Sequence, residues 1–147
     1  MGHFATGVTI LTTCDGHGNV YGLTANAITS VSLEPPLLLI CIDRKAETFA
    51  HFYDSKSFTV NILTEEQQDL SSRFAKSGGD KFSGLSHRAG RFGTPILDGC
   101  LGYIECRIVA THEAGDHVIH IGQVESAEVR AARPLLFFQG QYRKLQD

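Results

Sequence analysis

Two long stretches toward the C-terminal end, Tyr103 to His112 and His117 to Arg130, restrict the fold more than any other part of this sequence. Both read as strands, and they are joined around Glu113-Ala114-Gly115-Asp116, a connection with the glycine and aspartate that a turn favours. In the second strand, apolar residues occupy both alternating faces, with Val118 and Val124 lying opposite Ile119 and Ile121. Such a strand has to be covered twice. One face can fill a barrel, and the other has to meet a helix of the same chain or a second subunit.

The remaining sequence is also mostly β-patterned. Gly7 to Cys14 and Val20 to Thr24 are β-rich runs joined by Asp15-Gly16-His17-Gly18-Asn19, a hairpin connection. Leu37 to Ile42 and Ser57 to Leu63 are further strands, separated by Arg44-Lys45-Ala46-Glu47 and a short helix expected over Thr48 to Tyr53. Thr64 and Gln67 have capping-box spacing, which predicts a helix running to about Ala75. The glycine-rich stretch from Lys76 to Gly99 has little periodicity and is expected to be a long surface loop of the kind that often carries function. No internal repeat divides the chain, and 147 residues are read as one domain, 1–147, with a single core.

Composition removes several classes of function. A formal net charge of −3 and 42% hydrophobic residues, without a basic stripe, argue against a nucleic-acid partner. The apolar run Leu37 to Ile42 is far shorter than the ~20 residues of a membrane helix, and no secretory leader is recognisable, so a cytoplasmic protein with no membrane partner is expected. Cys14, Cys41, Cys100 and Cys106 form no C-x-x-C pair and read as free thiols. His117 and His120 are three apart in a strand and point to opposite faces, so no metal site is assigned. Gly16-x-Gly18 follows a strand as a dinucleotide fingerprint would, but Tyr21 holds the third glycine position and no helix follows.

The segment Gly22 to Pro36 carries more small and hydroxyl-bearing residues than a buried strand needs. Its Thr, Asn and Ser side chains can donate hydrogen bonds beside approachable backbone N–H groups, which suits a flat, acceptor-rich ligand such as a flavin ring and its ribityl phosphate. A Thr/Ser-rich edge strand running into a proline turn would look the same.

Five short motifs in order bear on that choice: Phe4-Ala5-Thr6-Gly7-Val8-Thr9, Gly22 to Pro36, Phe58-Thr59-Val60-Asn61-Ile62-Leu63, Gly115-Asp116-His117, and Pro134-Leu135-Leu136-Phe137-Phe138 with Tyr142. Together they resemble the flavin reductase-like, FMN-binding split-barrel family along nearly the whole chain. The resemblance implies an all-β, Greek-key split β-barrel with two or three helices, and a homodimer with flavin near the interface. It also implies a leading helix, at the place where this sequence begins Met1-Gly2-His3.

A flavin site needs donors at the pyrimidine edge of the ring, an apolar bed for the other end, and polar or cationic groups for the phosphate. Thr24, Asn26, Ser30 and Ser32, with the backbone of Ala25, Ala27 and Val31, are candidates for the first, and Leu39 to Ile42, including Cys41, with Phe82 for the second. At the phosphate end the family commonly has serines where this chain has Lys45 and Ala46, while Thr48 is retained. Lys45 can replace hydroxyl donors as a point charge, and Lys81 resembles the family's basic residue that reaches the same end. The resemblance assigns Gly115-Asp116-His117 to the nicotinamide nucleotide, with His117 as the contact and Tyr142 lining the same pocket.

Hydride transfer between two stacked rings needs no protein nucleophile, which accounts for the lack of any Ser-His-Asp or paired-carboxylate signature. The expected function is therefore an NAD(P)H:flavin oxidoreductase that reduces FMN or FAD with NADH or NADPH and supplies an oxygenase component. A flavin-binding electron carrier or sensor without nicotinamide turnover would keep Thr24 to Ser32 but would not need His117.

Overall fold

The computed structural model describes residues Met1–Asp147. Twelve strands and two helices follow in the order β1 (Thr6–Gly7), β2 (Thr9–Cys14), β3 (Val20–Ala25), β4 (Ile28–Leu33), β5 (Pro36–Asp43), α1 (Phe49–Asp54), β6 (Ser57–Ile62), α2 (Gln68–Ala75), β7 (His87–Ala89), β8 (Pro95–Leu97), β9 (Gly102–Ala114), β10 (His117–Val129), β11 (Leu135–Phe138) and β12 (Gln141–Lys144). A seven-stranded sheet in the order β3-β2-β6-β9-β10-β5-β4 forms the body, with β1-β11-β12 and β7-β8 as smaller sheets. All pairings are antiparallel. The expected class, mostly β-structure with two or three helices, is the one observed, with two helices present. Neither helix is long and apolar enough to cross a membrane.

The core lies on both sides of the sheet because β2 and β6 are buried on both faces. Leu11 packs with Leu38, Ile40, Ile42, Phe52, Phe58, Val60 and Cys106, whereas its neighbour Ile10 packs with Val8, Leu63, Phe74, Leu97, Cys100 and Leu135. Alternation along one strand thus feeds two clusters. Helix α1 contributes the fully buried Phe52 to the first cluster, and α2 contributes Phe74 to the second. Burying a phenylalanine stabilises the fold by roughly 1.5–3 kcal/mol, enough to fix these short helices on the sheet.

The stretch Lys76 to Gly99 is not wholly a surface loop. Strands β7 and β8 form a hairpin within it, and Thr94, Ile96 and Leu97 are buried. Polar side chains hold this hairpin down. The Asn61 amide donates to the Ile10 carbonyl at 3.1 Å and the Thr12 hydroxyl at 3.2 Å and accepts from the Leu97 N–H at 2.9 Å. Thr12 donates to the Pro95 carbonyl at 2.6 Å. These are contacts between distant segments, which local periodicity does not register.

One other expectation needs revision. Gln67 does reach back to the Thr64 N–H at 2.9 Å, but the Thr64 hydroxyl caps nothing and α2 begins at Gln68. Thr64 instead pairs with Pro134 as an isolated bridge, so the backbone enters the helix later than the motif suggests. In β10, Val118 and His120 are fully buried, while Ile119 and Ile121 on the other face are half-buried beside Cys41 and Leu39.

Close approach leaves no room for a side chain at Gly122. A Cβ there would lie 2.6 Å from Phe58 Cζ and 2.7 Å from Cys106 Cβ. Gly122→Ala is expected to destabilise the fold by about 1–3 kcal/mol through overpacking, measured by denaturant unfolding. A pH dependence is expected from His120, whose Nδ1 shares a 2.9 Å hydrogen bond with the Thr111 hydroxyl while its buried Nε2 has no partner. Burial lowers its pKa from 6.5, so the unfolded chain binds more protons than the folded chain as pH falls through that region. The His120 contribution is therefore fully present above pH 6.5 and is lost as acidity increases; His120→Phe should flatten the stability profile there.

Candidate functional site

The two edges of the large sheet, β3 and β4, are consecutive in the chain and are linked only by Asn26 and Ala27. A cleft of about 510 Å³ opens at this split. Its walls come from Thr24 to Ala27, Cys41 and Asp43 of β5, Lys45 to Thr48, the Ser71 to Ser77 side of α2, Lys81, His117, Phe137 and Tyr142.

Side chains around the split are already engaged. The Thr24 hydroxyl donates to the Ser71 carbonyl at 2.6 Å, tying β3 to α2, and Ser71 shares a 2.7 Å hydrogen bond with the Tyr142 hydroxyl. The Asn26 amide donates one N–H to the Thr6 hydroxyl at 3.1 Å, which leaves its second N–H and its side-chain oxygen uncommitted. The Ala27 carbonyl accepts from the Cys41 N–H at 3.1 Å. Burial raises the Cys41 thiol above its usual range, so it faces the cleft as a neutral, weakly polar group.

Cations and an unpaired hydroxyl gather at the other end. Lys45, Lys76 and Lys81 line the cleft together with Asp43 and Glu47. The Lys45 N–H donates to the Asp43 carboxylate at 2.8 Å, shaping the turn after β5. The Lys81 side chain is only 12% exposed, and its Nζ sits 3.8 Å from the Glu47 carboxylate. That carboxylate also accepts from the Gly78 N–H at 2.8 Å, so one acidic group ties down the Gly78 to Lys81 loop. Thr48 is buried and its Oγ1 has no hydrogen-bond partner. A buried hydroxyl left in this way is costly unless a ligand supplies the missing acceptor or donor. Thr48, Lys45 and Lys81 line the cleft together and are the groups available there to hold the phosphate of a flavin nucleotide.

His117 opens β10 and pairs with Asp43 across the ladder, which brings it to the cleft. Its Nδ1 lies 2.7 Å from the Asp116 carboxylate, and this contact lowers the Asp116 pKa. The turn is anchored by the Arg44 N–H, which donates to the Asp116 carbonyl at 2.9 Å, and by an Arg44–Glu113 ion pair at 3.1 Å. Gly115, at φ +66°, supplies the left-handed turn residue. His117 and His120 do take opposite faces of the strand, one half-exposed and the other buried.

Thr24, Ala25, Asn26, Ala27, Cys41, Lys45, Thr48, Lys81, His117 and Tyr142 are thus brought together, and the other sequence candidates lie elsewhere in this chain. Ile42 is fully buried in the core, because its neighbours Cys41 and Asp43 take the cleft face of β5. Ser30, Val31 and Ser32 are carried off along the outer edge by β4, where Ser30 pairs with Leu38 and Val31 falls at a register shift. Phe82 packs edge-on against Phe74 at 5.2 Å and lines an adjoining hollow. Phe74, Phe137 and Tyr142 supply aromatic surface to the cleft. Ser71 and Phe74 of α2, and Lys76 and Ser77 just after it, also line the cleft, and the sequence does not single them out because a helical pattern does not reveal which face meets β3.

Residues 1–146 match the family model described as the flavin reductase like domain. The chain is 43% identical over 143 residues to the reductase subunit HsaB of a flavin-dependent monooxygenase from Rhodococcus jostii, covering 97% of this chain and 73% of that one. It is 38% identical over 154 residues to an NADH-dependent flavin reductase from a Rhodococcus species, covering 99% and 83% respectively. Among solved structures, the NADH:FAD oxidoreductase SgcE6 of Streptomyces globisporus, in complex with NAD and FAD fragments, superposes with a TM-score of 0.93 at 35% identity, covering 99% of this chain and 88% of that one.

The unpaired Thr48 hydroxyl gives a two-sided expectation. Thr48→Val should leave the ligand-free stability unchanged or slightly raised, because the deleted group bonds to nothing. The same substitution should weaken FMN binding several-fold and leave riboflavin binding unaltered. Thermal unfolding without ligand and fluorescence titration with both flavins check the two halves.

Proposed function

The chain belongs to the flavin reductase-like domain family, and from that premise we propose that its cleft holds flavin at the β3–β4 split while His117 receives the nicotinamide donor. The activity is that of a flavin reductase, an oxidoreductase using a reduced nicotinamide nucleotide. The observation that carries the site assignment is the meeting, in one cleft, of the Thr24–Ala27 link, the orphaned Thr48 hydroxyl with Lys45 and Lys81, and the Asp116–His117 turn.

When bound, the flavin ring supplies the hydride-accepting chemistry, and the protein contributes position and electrostatics. Lys45, Lys81 and Thr48 take the phosphate, with Lys81 kept in place by Glu47. Phe74, Phe137 and the neutral Cys41 thiol exclude water from part of the ring's surroundings. Asp116 orients His117 through Nδ1, leaving Nε2 toward the donor. Alignment of the two rings is the main catalytic contribution asked of this architecture.

The finer identity follows the relatives. NADH is the proposed donor, as in the NADH-dependent relative, and reduced flavin is passed to a separate oxygenase, as suits a reductase subunit. A homodimer is proposed because Leu39, Ile119 and Ile121 form a half-buried apolar strip on the outer face of β5 and β10. A second copy would complete its burial.

His117→Ala should raise the KM for NADH several-fold, with kcat falling if ring alignment is disturbed, while the Kd for flavin stays within about two-fold. Steady-state kinetics with flavin saturating and NADH varied measure this. Unaltered donor kinetics in the folded variant would remove His117 from the nicotinamide site.

A further inference from the structure

The loop before His117 has no packing of its own to hold it. Ala114 pairs with His117 across the hairpin, so Gly115 and Asp116 form a two-residue turn at the tip of β9 and β10. Every residue from Thr111 to Asp116 is exposed, and a Cβ built at Gly115 would meet no atom within 4 Å. The register of β10 decides which face His117 takes, but it does not hold the turn beyond it.

The hydrogen bonds that reach this turn from outside the hairpin come from one residue, Arg44. Its N–H donates to the Asp116 carbonyl at 2.9 Å, its Nε donates to the Gly115 carbonyl at 3.3 Å, and its guanidinium pairs with Glu113 at 3.1 Å. The same guanidinium lies 5.6 Å from the centroid of the Phe49 ring, and Phe49 packs against the first core cluster. Arg44 thus links the turn to helix α1 and through it to the core. Asp43 and Lys45 on either side of it line the cleft, whereas Arg44 does not, so its side chain meets the turn from behind.

We propose that Arg44 is a positioning residue of the donor site: its forked guanidinium fixes the Gly115–Asp116 turn, and the turn fixes the His117 ring. The inference rests on the reading of His117 as the nicotinamide contact. The Asp116 carboxylate bonded to His117 Nδ1 is 85% exposed, so it orients the ring only as well as the backbone beneath it is held. A planar fork serves the Gly115 carbonyl and the Glu113 carboxylate in fixed directions, which a single ammonium on a flexible stem does not. Small displacements of a group that aligns reacting rings are costly to the rate.

Steady-state kinetics on the full chain, with flavin saturating and NADH varied, test this in a double-mutant cycle of Arg44→Met and His117→Ala. Arg44→Met should raise the KM for NADH several-fold and leave the Kd for flavin within about two-fold, which also establishes that the variant is folded. The double variant should be no worse than His117→Ala alone, because a residue that acts through His117 has nothing to place once the ring is gone. Arg44→Lys keeps the charge and loses the fork, so its KM should stay raised. With His117→Ala impaired, a normal KM in Arg44→Met, additive effects of the two substitutions, full recovery in Arg44→Lys, or a parallel loss of flavin binding overturns the role of Arg44 alone. Unaltered donor kinetics in His117→Ala overturn the nicotinamide reading itself, and the role of Arg44 falls with it.

Discussion

The sheet begins at β3 and ends at β4, and only Asn26 and Ala27 lie between them. From Ala25 to Ile28 the backbone can span no more than about 11 Å, so the two edges of a seven-stranded sheet are forced to curl until they almost meet. They do not pair with each other. The Ile28 N–H turns back to the Asn26 carbonyl, and the Ala27 carbonyl is taken by Cys41, so the link spends its hydrogen bonds on itself and on β5. What remains is a barrel with a gap at a fixed place, and the gap is the cleft. Small residues at Ala25 and Ala27 keep backbone accessible there, which is the local reason for the unusual composition of this segment.

A gap is useful only if its walls hold still. The two doubly buried strands β2 and β6 provide that rigidity, and the buried Asn61 amide of β6 makes two hydrogen bonds to β2 and one to β8 of the hairpin. Close contacts at Gly122 and Gly22 act in the same direction, since a Cβ at Gly22 would stand 2.7 Å from the Phe74 ring. Phe74 belongs at once to the second core cluster and to the cleft wall. Packing that stabilises the fold therefore also shapes the site, and loosening α2 would cost both.

Strands were legible in the sequence because their alternation is local, and the turn at Gly115-Asp116 was legible because its chemistry is. Three kinds of information were not. Which face of β5 meets the cleft depends on the barrel's curvature, so Cys41 and Ile42 looked equivalent until the fold separated them. The path of β4 after Ala27 is a matter of topology, and Ser30 to Ser32, which read as donors, follow it to the outer edge. The β7–β8 hairpin has no apolar period of its own and exists through bonds from Asn61, Thr12 and Thr59. The unpaired state of the Thr48 hydroxyl likewise belongs to the packed structure, although its residue type and place in the chain were readable.

Register then connects the two ends of the chemistry. His117 pairs with Asp43, and two residues farther along the chain Lys45 donates its N–H to that same Asp43. The residue proposed for the donor and the cation proposed for the phosphate are therefore set by one antiparallel rung and one short turn. A slip of β10 by a single residue would turn His117 away from the cleft and push Val118 out of the core together. The fully buried Val118 and the close approach at Gly122 oppose that slip, and the register shift in the β9–β10 ladder falls between Ile121 and Gly122, beyond the rungs that place His117. Core packing in the middle of β10 thus fixes the geometry of a ligand contact at its tip, where the side chain itself is half-exposed and could not fix its own position.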